Sequence, residues 1–335
     1  MRIHGGGIAI PGGPYGVGAA GPPPFDGNFA GLLPGAYQVV QADRGLTYGG
    51  LMRLTAGDIS GTVVTLGGAL ATPPVPIMVK ATNTASVGAG ATFNVYYDGL
   101  GVTPAMVGLT PTGGAFIALT GAAAGLNLTW TADPSVTGNT WKATCAALAD
   151  QSGNGWHCSH SVPSQQPVVT AGLNGSVGLA FEATQSLGSL LSLPKPSTAP
   201  FCIFAVLRRT FGHSYGRFTA NPANSNLLLL DGTGTNITTH NAGIFGSQQP
   251  MPLAQWVAVD CLFSGSVADY IRCGSLPAAS GLAAGDSAGS QVAIGDYFAG
   301  QQNNFDLLML AHVPQTSAAA WRAAVTSKYG PTVQV

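Results

Sequence analysis

The sequence predicts an all-β fold, and three observations carry that reading. Only 7% of the 335 residues are charged and Glu182 is the single glutamate, whereas soluble domains are about one quarter charged. Surface helices are built on Glu and Lys, so long helices have little to form from. Solvation is left to Ser, Thr, Asn and Gln, with 48 glycines and 23 prolines, a composition that favours turns. Between the turns lie short runs of β-branched and aromatic residues, the usual content of strands. At 46% hydrophobic the chain can bury a sizeable core, and its length fits two domains or one domain with a substantial arm.

Residues 1–36 open with a Gly/Pro-dense stretch, GGGIAIPGGPYGVGAAGPPPFDG. It cannot hold a helix and buries too little to fold alone. An extended arm or linker is expected, of the kind that lies along a neighbouring subunit; simple disorder is the competing reading. Residues 37–145 read as a small β-sandwich module. Its strand candidates are Tyr37-Gln-Val-Val, Gly61-Thr-Val-Val-Thr-Leu, Pro76-Ile-Met-Val-Lys-Ala, Ala91-Thr-Phe-Asn-Val-Tyr-Tyr, Ala115-Phe-Ile-Ala-Leu, Leu126-Asn-Leu-Thr-Trp and Thr140-Trp-Lys-Ala-Thr. Asp98-Gly99 marks a turn.

From residue 146 to 335 the strands lengthen. Candidates are Val177-Gly-Leu-Ala-Phe, Phe201-Cys-Ile-Phe-Ala-Val-Leu, Asn226-Leu-Leu-Leu-Leu, Gln291-Val-Ala-Ile and Asp306-Leu-Leu-Met-Leu-Ala. The segment 256–273 reads as a hairpin turning near Ser264-Gly-Ser266. One helix is expected from Ser317 to Tyr329: Thr316 or Ser317 to cap it, alanines to fill it, Lys328 in its last turn and Gly330-Pro331 to stop it.

Charge excludes one class of function. The net charge is −1 and Arg208-Arg209 is the single basic doublet, so phosphate neutralisation on a nucleic acid is not expected. A near-neutral, charge-poor surface tends to associate, which fits a chain covered inside a large assembly; a compositional bias of a GC-rich genome fits equally. The five cysteines, Cys145, Cys158, Cys202, Cys261 and Cys273, show no CxxC pair, and the odd count argues against a complete disulfide framework. Reduced thiols in a chain that folds in a cytosol are expected. The N-terminus lacks the apolar block of a signal peptide, and no stretch is long and apolar enough to span a membrane.

The order of the pieces in 142–330 resembles the concanavalin A-like, laminin-G-like jelly rolls of many bacterial and phage proteins. It runs from Trp141 and Asp150-Gln-Ser-Gly-Asn-Gly155 through Gly172-Leu-Asn-Gly175 and Ala180-Phe-Glu182 to Trp256-Val-Ala-Val. It ends with Tyr270-Ile-Arg-Cys-Gly274, Asn304-Phe-Asp-Leu-Leu-Met-Leu and the closing helix. Relatives often carry Phe-Asp/Asn-Gly where this chain has Phe181-Glu182-Ala183, which puts a carried-over ligand role there in doubt. Residues 75–145 also look like small β modules of virion proteins. Arm, module and jelly roll together resemble phage head-fibre, capsid-decoration or tail-fibre proteins. The resemblance implies a homo-oligomer assembled in the host cytoplasm and located in the virion. Its implied partners are other capsid or tail proteins, with a host-surface glycan as the candidate ligand. A free bacterial carbohydrate-binding protein is the alternative, and a glycan-cleaving enzyme a weaker one.

The candidate site residues follow. Asp150, Ser152 and Asn154 read as a structural turn, because their side chains can bond nearby backbone while the glycines supply positive φ. Trp156, Tyr215, Phe218 and Tyr297 are the aromatic residues that could stack on a sugar, with core packing as the competing role. Trp156-His-Cys-Ser-His160 places three potential metal ligands close together, but no fourth stands at zinc spacing. Calcium suits the fold, yet Asp150, Asp231, Asp296 and Asp306 are too scattered for a carboxylate cage; no cofactor is expected. Gly285-Asp-Ser-Ala-Gly289 and His4-Gly-Gly-Gly7 imitate esterase motifs without the strand–turn–helix context that a nucleophile elbow needs, and Asp306 and His312 complete a triad in name alone. A retaining glycosidase needs paired carboxylates about 5 Å apart, and a single glutamate rules out the usual Glu-x-Asp-x-x-Glu strand. No enzymatic activity is expected.

Overall fold

The computed structural model describes residues 29, 31–53, 64–69, 73–83, 85, 87, 89–114, 116–131, 140–162, 165–182, 186–189, 200–212, 215–220, 227–241, 244–264, 269–281, 293–295, 304–329 and 333. Most of the Gly/Pro arm, both esterase-like motifs and Tyr297 lie outside the described residues. The protein is all-β with one helix. Its first half lays down β1 (Gln38–Gln41), β2 (Leu46–Arg53), β3 (Val64–Gly68), β4 (Met78–Ala81), β5 (Phe93–Tyr96), β6 (Pro104–Leu109), β7 (Phe116–Ala118), β8 (Leu126–Trp130) and β9 (Thr140–Leu148). Then come β10 (Cys158–Ser159), β11 (Val168–Ala171), β12 (Val177–Phe181), β13 (Ser186–Ser189), β14 (Phe201–Arg209), β15 (Thr219–Ala220), β16 (Leu227–Leu230), β17 (Asn236–Asn241) and β18 (Ile244–Pro250). The chain ends with β19 (Trp256–Phe263), β20 (Tyr270–Cys273), β21 (Ala279–Ser280), β22 (Ala293–Gly295), β23 (Phe305–Pro314) and α1 (Ala318–Tyr329).

The long apolar strands form the middle of the molecule. β14 lies antiparallel between β19 and β23. Alternation divides its side chains: Phe201, Ile203, Ala205 and Leu207 enter the inner core, while Cys202, Phe204 and Val206 pack under α1. Both faces are covered, which is why β14 is apolar from Phe201 to Leu207 and β19 is apolar but for the ion-paired Asp260. Opposite Val206/Leu207 the register with β23 slips by one residue. Leu308 and Met309 therefore both fall on the helix side. Asp306 and His312 end up on opposite faces, Asp306 against Arg208 and His312 against Phe201, so no triad can form from them.

Residues 37–53 do not stay with the small module. β1 pairs with β23, Gln38 opposite His312 and Gln41 opposite Met309. β2 pairs along β9, and β9 itself runs through the expected boundary at residue 145 and meets β11 at Thr144. The inner core is continuous from Phe93, Trp130 and Trp141 to Phe181, Phe218 and Phe305. The last part of the expected arm is folded too. Phe29 is fully buried against Trp321 of α1, ring centroids 5.4 Å apart, and Leu33–Gly35 forms a 3-10 turn.

The loop 149–155 explains how β1 is held. Asp150 Oδ1 accepts from Val39 N and Ser152 N, both at 2.9 Å, and Oδ2 accepts from Ser152 Oγ at 2.8 Å and Trp156 N at 3.0 Å. Asn154 Nδ2 donates to the Ala36 and Tyr37 carbonyls at 3.0 Å each. Turn and strand are thus one unit. At the other side, α1 is tied down by Arg322. Its guanidinium bonds the buried Asp260 carboxylate, which Arg272 also reaches at 3.1 and 3.2 Å, and it donates to the Gly274 carbonyl at 2.9 Å. The helix starts one residue later than expected. Ser317 does not cap it; its hydroxyl donates to the Pro314 carbonyl at 2.8 Å, within the preceding 3-10 turn.

Candidate ligand-binding surface

Among the described residues, Tyr215 and Phe245 form an exposed aromatic pair. Its foundation is Arg209, the last residue of β14. The side chain is buried, and its guanidinium donates to the Gly234 carbonyl and, at 2.7 Å, to the Met251 carbonyl. The Arg209 carbonyl in turn accepts from Ala254 N at 2.7 Å. One arginine therefore fixes the turn after β16 and the loop after β18. Charged donors to buried carbonyls are the strong kind of hydrogen bond.

Asp231 organises the turn itself. Oδ1 accepts from Thr233 N at 3.1 Å, Thr233 Oγ1 at 2.6 Å, and Thr235 N and Asn236 N at 3.3 Å each. Oδ2 accepts from Asn236 Nδ2 at 2.8 Å. Burial would raise this carboxyl, but the donors of Thr233, Asn236 and Thr235 overcome it and hold the group below its ordinary range. The Asp231 carbonyl accepts from Tyr215 N at 3.0 Å.

Tyr215 sits on this turn with φ +58°, a left-handed conformation that costs a bulky residue energy. Its hydroxyl lies over Gly232, where an added Cβ would stand 2.9 Å from the oxygen. Glycine is the residue that lets the ring lie down. The ring meets Phe245 of β18 at 5.8 Å between centroids and 39° between planes. Phe245 packs edge-on against His240 of β17 at 4.7 Å. Tyr215 is 43% exposed and Phe245 36%, and Ile244 next to Phe245 is exposed as well. His240 is buried; burial, followed by the nearby Arg217 charge, lowers its pKa. Its Nδ1 has no hydrogen-bond partner among the described residues. Among the described residues the surface offers two partly exposed ring faces, with the His240 imidazole buried behind Phe245.

The other predicted residues are placed elsewhere. Phe218 is corrected: it is 1% exposed and packs edge-on against Phe305 at 5.1 Å, so it is core and not a ligand residue. Trp156 belongs to the Asp150 loop, with its carbonyl accepting from Gln38 Nε2 at 2.6 Å. Tyr297 lies outside the described residues. Phe245 was missed by the sequence reading because β17 and β18 are polar; the signal available was Ile237-Thr-Thr followed by the turn formers Asn241-Ala-Gly243.

The potential metal ligands have structural partners. His157 Nδ1 accepts from Asp150 N at 3.0 Å, His160 Nδ1 from Val162 N at 3.1 Å, and Cys158 Sγ from Gln38 Nε2 at 3.4 Å. Among the described residues no three His, Cys, Asp or Glu side chains gather as a metal site. The five cysteines are free and buried. Burial pushes Cys202 up to about 11 and Cys158 and Cys273 up to about 12, which keeps them as unreactive thiols at neutral pH. Asp306 is buried, raised by that burial, and accepts from Arg208 Nε at 2.8 Å and from Nη2. Arg208 lies over the Trp256 ring at 4.8 Å. Among the described residues, no helix is long and apolar enough to cross a membrane.

No protein-family model and no curated protein matches the chain. Among solved structures it is similar to an arabinofuranosidase complexed with arabinofuranosyl-α-1,2-xylobiose, at 11% identity and TM-score 0.46 over 88% of this chain and 63% of that one. It is also similar to the binding domain of botulinum neurotoxin DC in complex with rat synaptotagmin II, at 9% identity and TM-score 0.36. A third is the binding domain of Paraclostridial Mosquitocidal Protein 1, at 11% identity and TM-score 0.40. Each of these two matches spans 54% of this chain and 49% of the other. The chain thus spans between 49% and 63% of the length of these three structures. At such scores the matches assign neither ligand nor activity.

Proposed function

We propose that the chain is a non-enzymatic structural protein of a phage particle, attached through its N-terminal part, whose jelly roll displays a glycan-binding face at Tyr215 and Phe245. The observation that carries the glycan reading is the exposed ring pair at 5.8 Å, with Tyr215 bonded to the turn that Asp231 organises and Phe245 set on β18. Sugar rings present C–H faces that pack on aromatic faces, as other apolar surfaces do, and a preorganised platform loses little entropy on binding.

The particle reading draws on the charge-poor composition and the Gly/Pro arm. Leu100 and Val102 on the loop between β5 and β6, Val107 on β6 and Phe116 on β7 are all exposed, apolar surface that another virion protein or a second copy would cover. The non-enzymatic reading draws on the commitment of Asp306 to Arg208 and on Glu182 being the single glutamate.

Tyr215→Ala and Phe245→Ala are each expected to weaken binding to host-cell surface glycan about tenfold, a loss of one good contact, with the melting temperature unchanged. A glycan array followed by titration reads this. Equal binding by wild type and both variants would remove the platform from the function. Release of sugar from a bound glycan would make the protein an enzyme.

A further inference from the structure

β1 is a strand that the sheet can lose without being cut in two. It is the first strand of the chain, and among the described residues it pairs with β23 alone, over the four residues from Gln38 opposite His312 to Gln41 opposite Met309. β14, by contrast, is held along its length by β19 on one side and β23 on the other. The second edge of β1 meets the loop 149–155 instead of a strand. Val39 N donates to Asp150 Oδ1 at 2.9 Å, and the Val39 carbonyl accepts from Gln151 N at 2.7 Å. Peripheral segments of this kind open at a lower free energy than the centre of a sheet.

The pairing closes over an imidazole that fits only while neutral. His312 is 3% exposed, and neither ring nitrogen has a hydrogen-bond partner among the described residues. Gln38, directly opposite, is fully buried, and its Nε2 is committed to the Trp156 carbonyl at 2.6 Å and to Cys158 Sγ at 3.4 Å. From the other side β14 presents Ile203 in register and the Phe201 ring at 6.3 Å, neither of them charged. The loop contributes Cys158, which burial keeps as a thiol, and Asp150. The Asp150 charge favours a protonated ring, but its two oxygens already accept four hydrogen bonds. Burial outweighs it and lowers the His312 pKa to about 4. An imidazolium here needs water, and β1 is the wall whose removal leaves the sheet standing.

We infer that the β1–β23 seam is an acid-sensitive latch: protonation of His312 releases β1 from β23 and from the Asp150 loop while β14, β19 and β23 stay paired. Release opens the Met309–His312 edge of β23 and gives slack to the N-terminal segment between Phe29 and β2. The sign follows from linkage. The opened ring takes up its proton near pH 6.5 and the closed ring near 4, so the open form gains population as pH falls below about 6.5. Between about pH 7.5 and about pH 5 the gain is about thirtyfold. Neither the glycan reading nor the particle reading is needed for it.

Hydrogen exchange of the full chain at these two pH values, corrected for intrinsic rates and read by mass spectrometry, tests the latch. The amides of Tyr37, Val39 and Ala42, which donate to the His312 carbonyl, Asp150 and the Leu308 carbonyl, are expected to lose protection about thirtyfold. β14 and β19 are expected to stay the better protected at both pH values. His312→Leu is expected to remove the pH dependence of β1. Where that variant does not fold, His312→Gln, which is polar and does not titrate, carries the comparison. Constant protection of β1 in the wild type overturns the inference. So does equal protection of β1 and β14 at about pH 5, because the opening is then global. A loss that persists in the His312 variant also overturns it and assigns the effect to Asp150 or to His157, whose Nδ1 accepts from Asp150 N at 3.0 Å.

Discussion

At the scale of single residues, Asp150 and His312 stand on the two sides of one seam. Asp150 was legible as a turn residue because Asp, Ser, Asn and Gly in seven positions have few other uses. That the turn also grips Val39 N, more than a hundred positions away, was not legible, since a carboxylate carries no mark of which backbone it will meet. His312 is the complementary case. It faces inward on β23, is 3% exposed, and neither ring nitrogen has a hydrogen-bond partner among the described residues. Burial, opposed weakly by the Asp150 charge, lowers its pKa to about 4. The fold therefore holds the neutral ring, while the unfolded chain takes up a proton near pH 6.5. The stabilisation is full above about pH 6.5 and is lost as pH falls towards 4, because the unfolded state binds more protons there. The loss amounts to roughly 3 kcal/mol across that interval. Melting temperatures from pH 7.5 to 4.5 should fall accordingly, and His312→Leu should flatten that slope. A parallel decline in both proteins would assign the acid sensitivity to other groups.

At the scale of elements, α1 was legible and the β17–β18 hairpin was not, for the same physical reason. A run of alanines ending at Lys-Tyr-Gly-Pro has one good local conformation. Asn236–Asn241 has several, and only pairing with β16 and β18 decides among them. Local preference forms α1, but packing holds it in place: Trp321 is fully buried on the outer face of β14 and β23. Arg322 is the electrostatic pin. Asp260 is completely buried and shared by Arg272 and Arg322, and the Arg322 side chain is itself 13% exposed. Removing one partner leaves a buried carboxylate half satisfied. Arg322→Met should cost about 3 kcal/mol and loosen amide protection in α1 before the sheet opens. Hydrogen exchange by mass spectrometry separates the two. Full protection of α1 in the variant would show that Trp321 packing alone holds the helix.

At the scale of the molecule, the all-β class followed from composition and strand runs and the jelly-roll core was implied by the resemblance of 142–330, but the partition of the chain did not follow. The sequence places a boundary at the change in strand length near residue 145. The hydrogen bonds place β9 across it and carry β1 onto β23, because a strand edge is satisfied by whatever backbone reaches it. The end of the arm is decided in the same way. Phe29 fills the space between Trp321 and Lys328, whose ammonium lies 5.7 Å above its ring. Phe29 is thus a part of the arm that stabilises its own domain. On the proposed particle role, deleting residues 1–28 should leave the melting temperature unchanged and abolish incorporation into particles. Phe29→Ala in the otherwise full chain should do the reverse, costing about 3 kcal/mol, as emptying a fully buried aromatic site does, while incorporation persists below the lowered melting point. Thermal melts and particle pull-down on the two proteins check both halves. If the deletion still assembles, attachment passes through the exposed apolar strands around Phe116, and Phe116→Ser with Val107→Ser becomes the variant that should lose it.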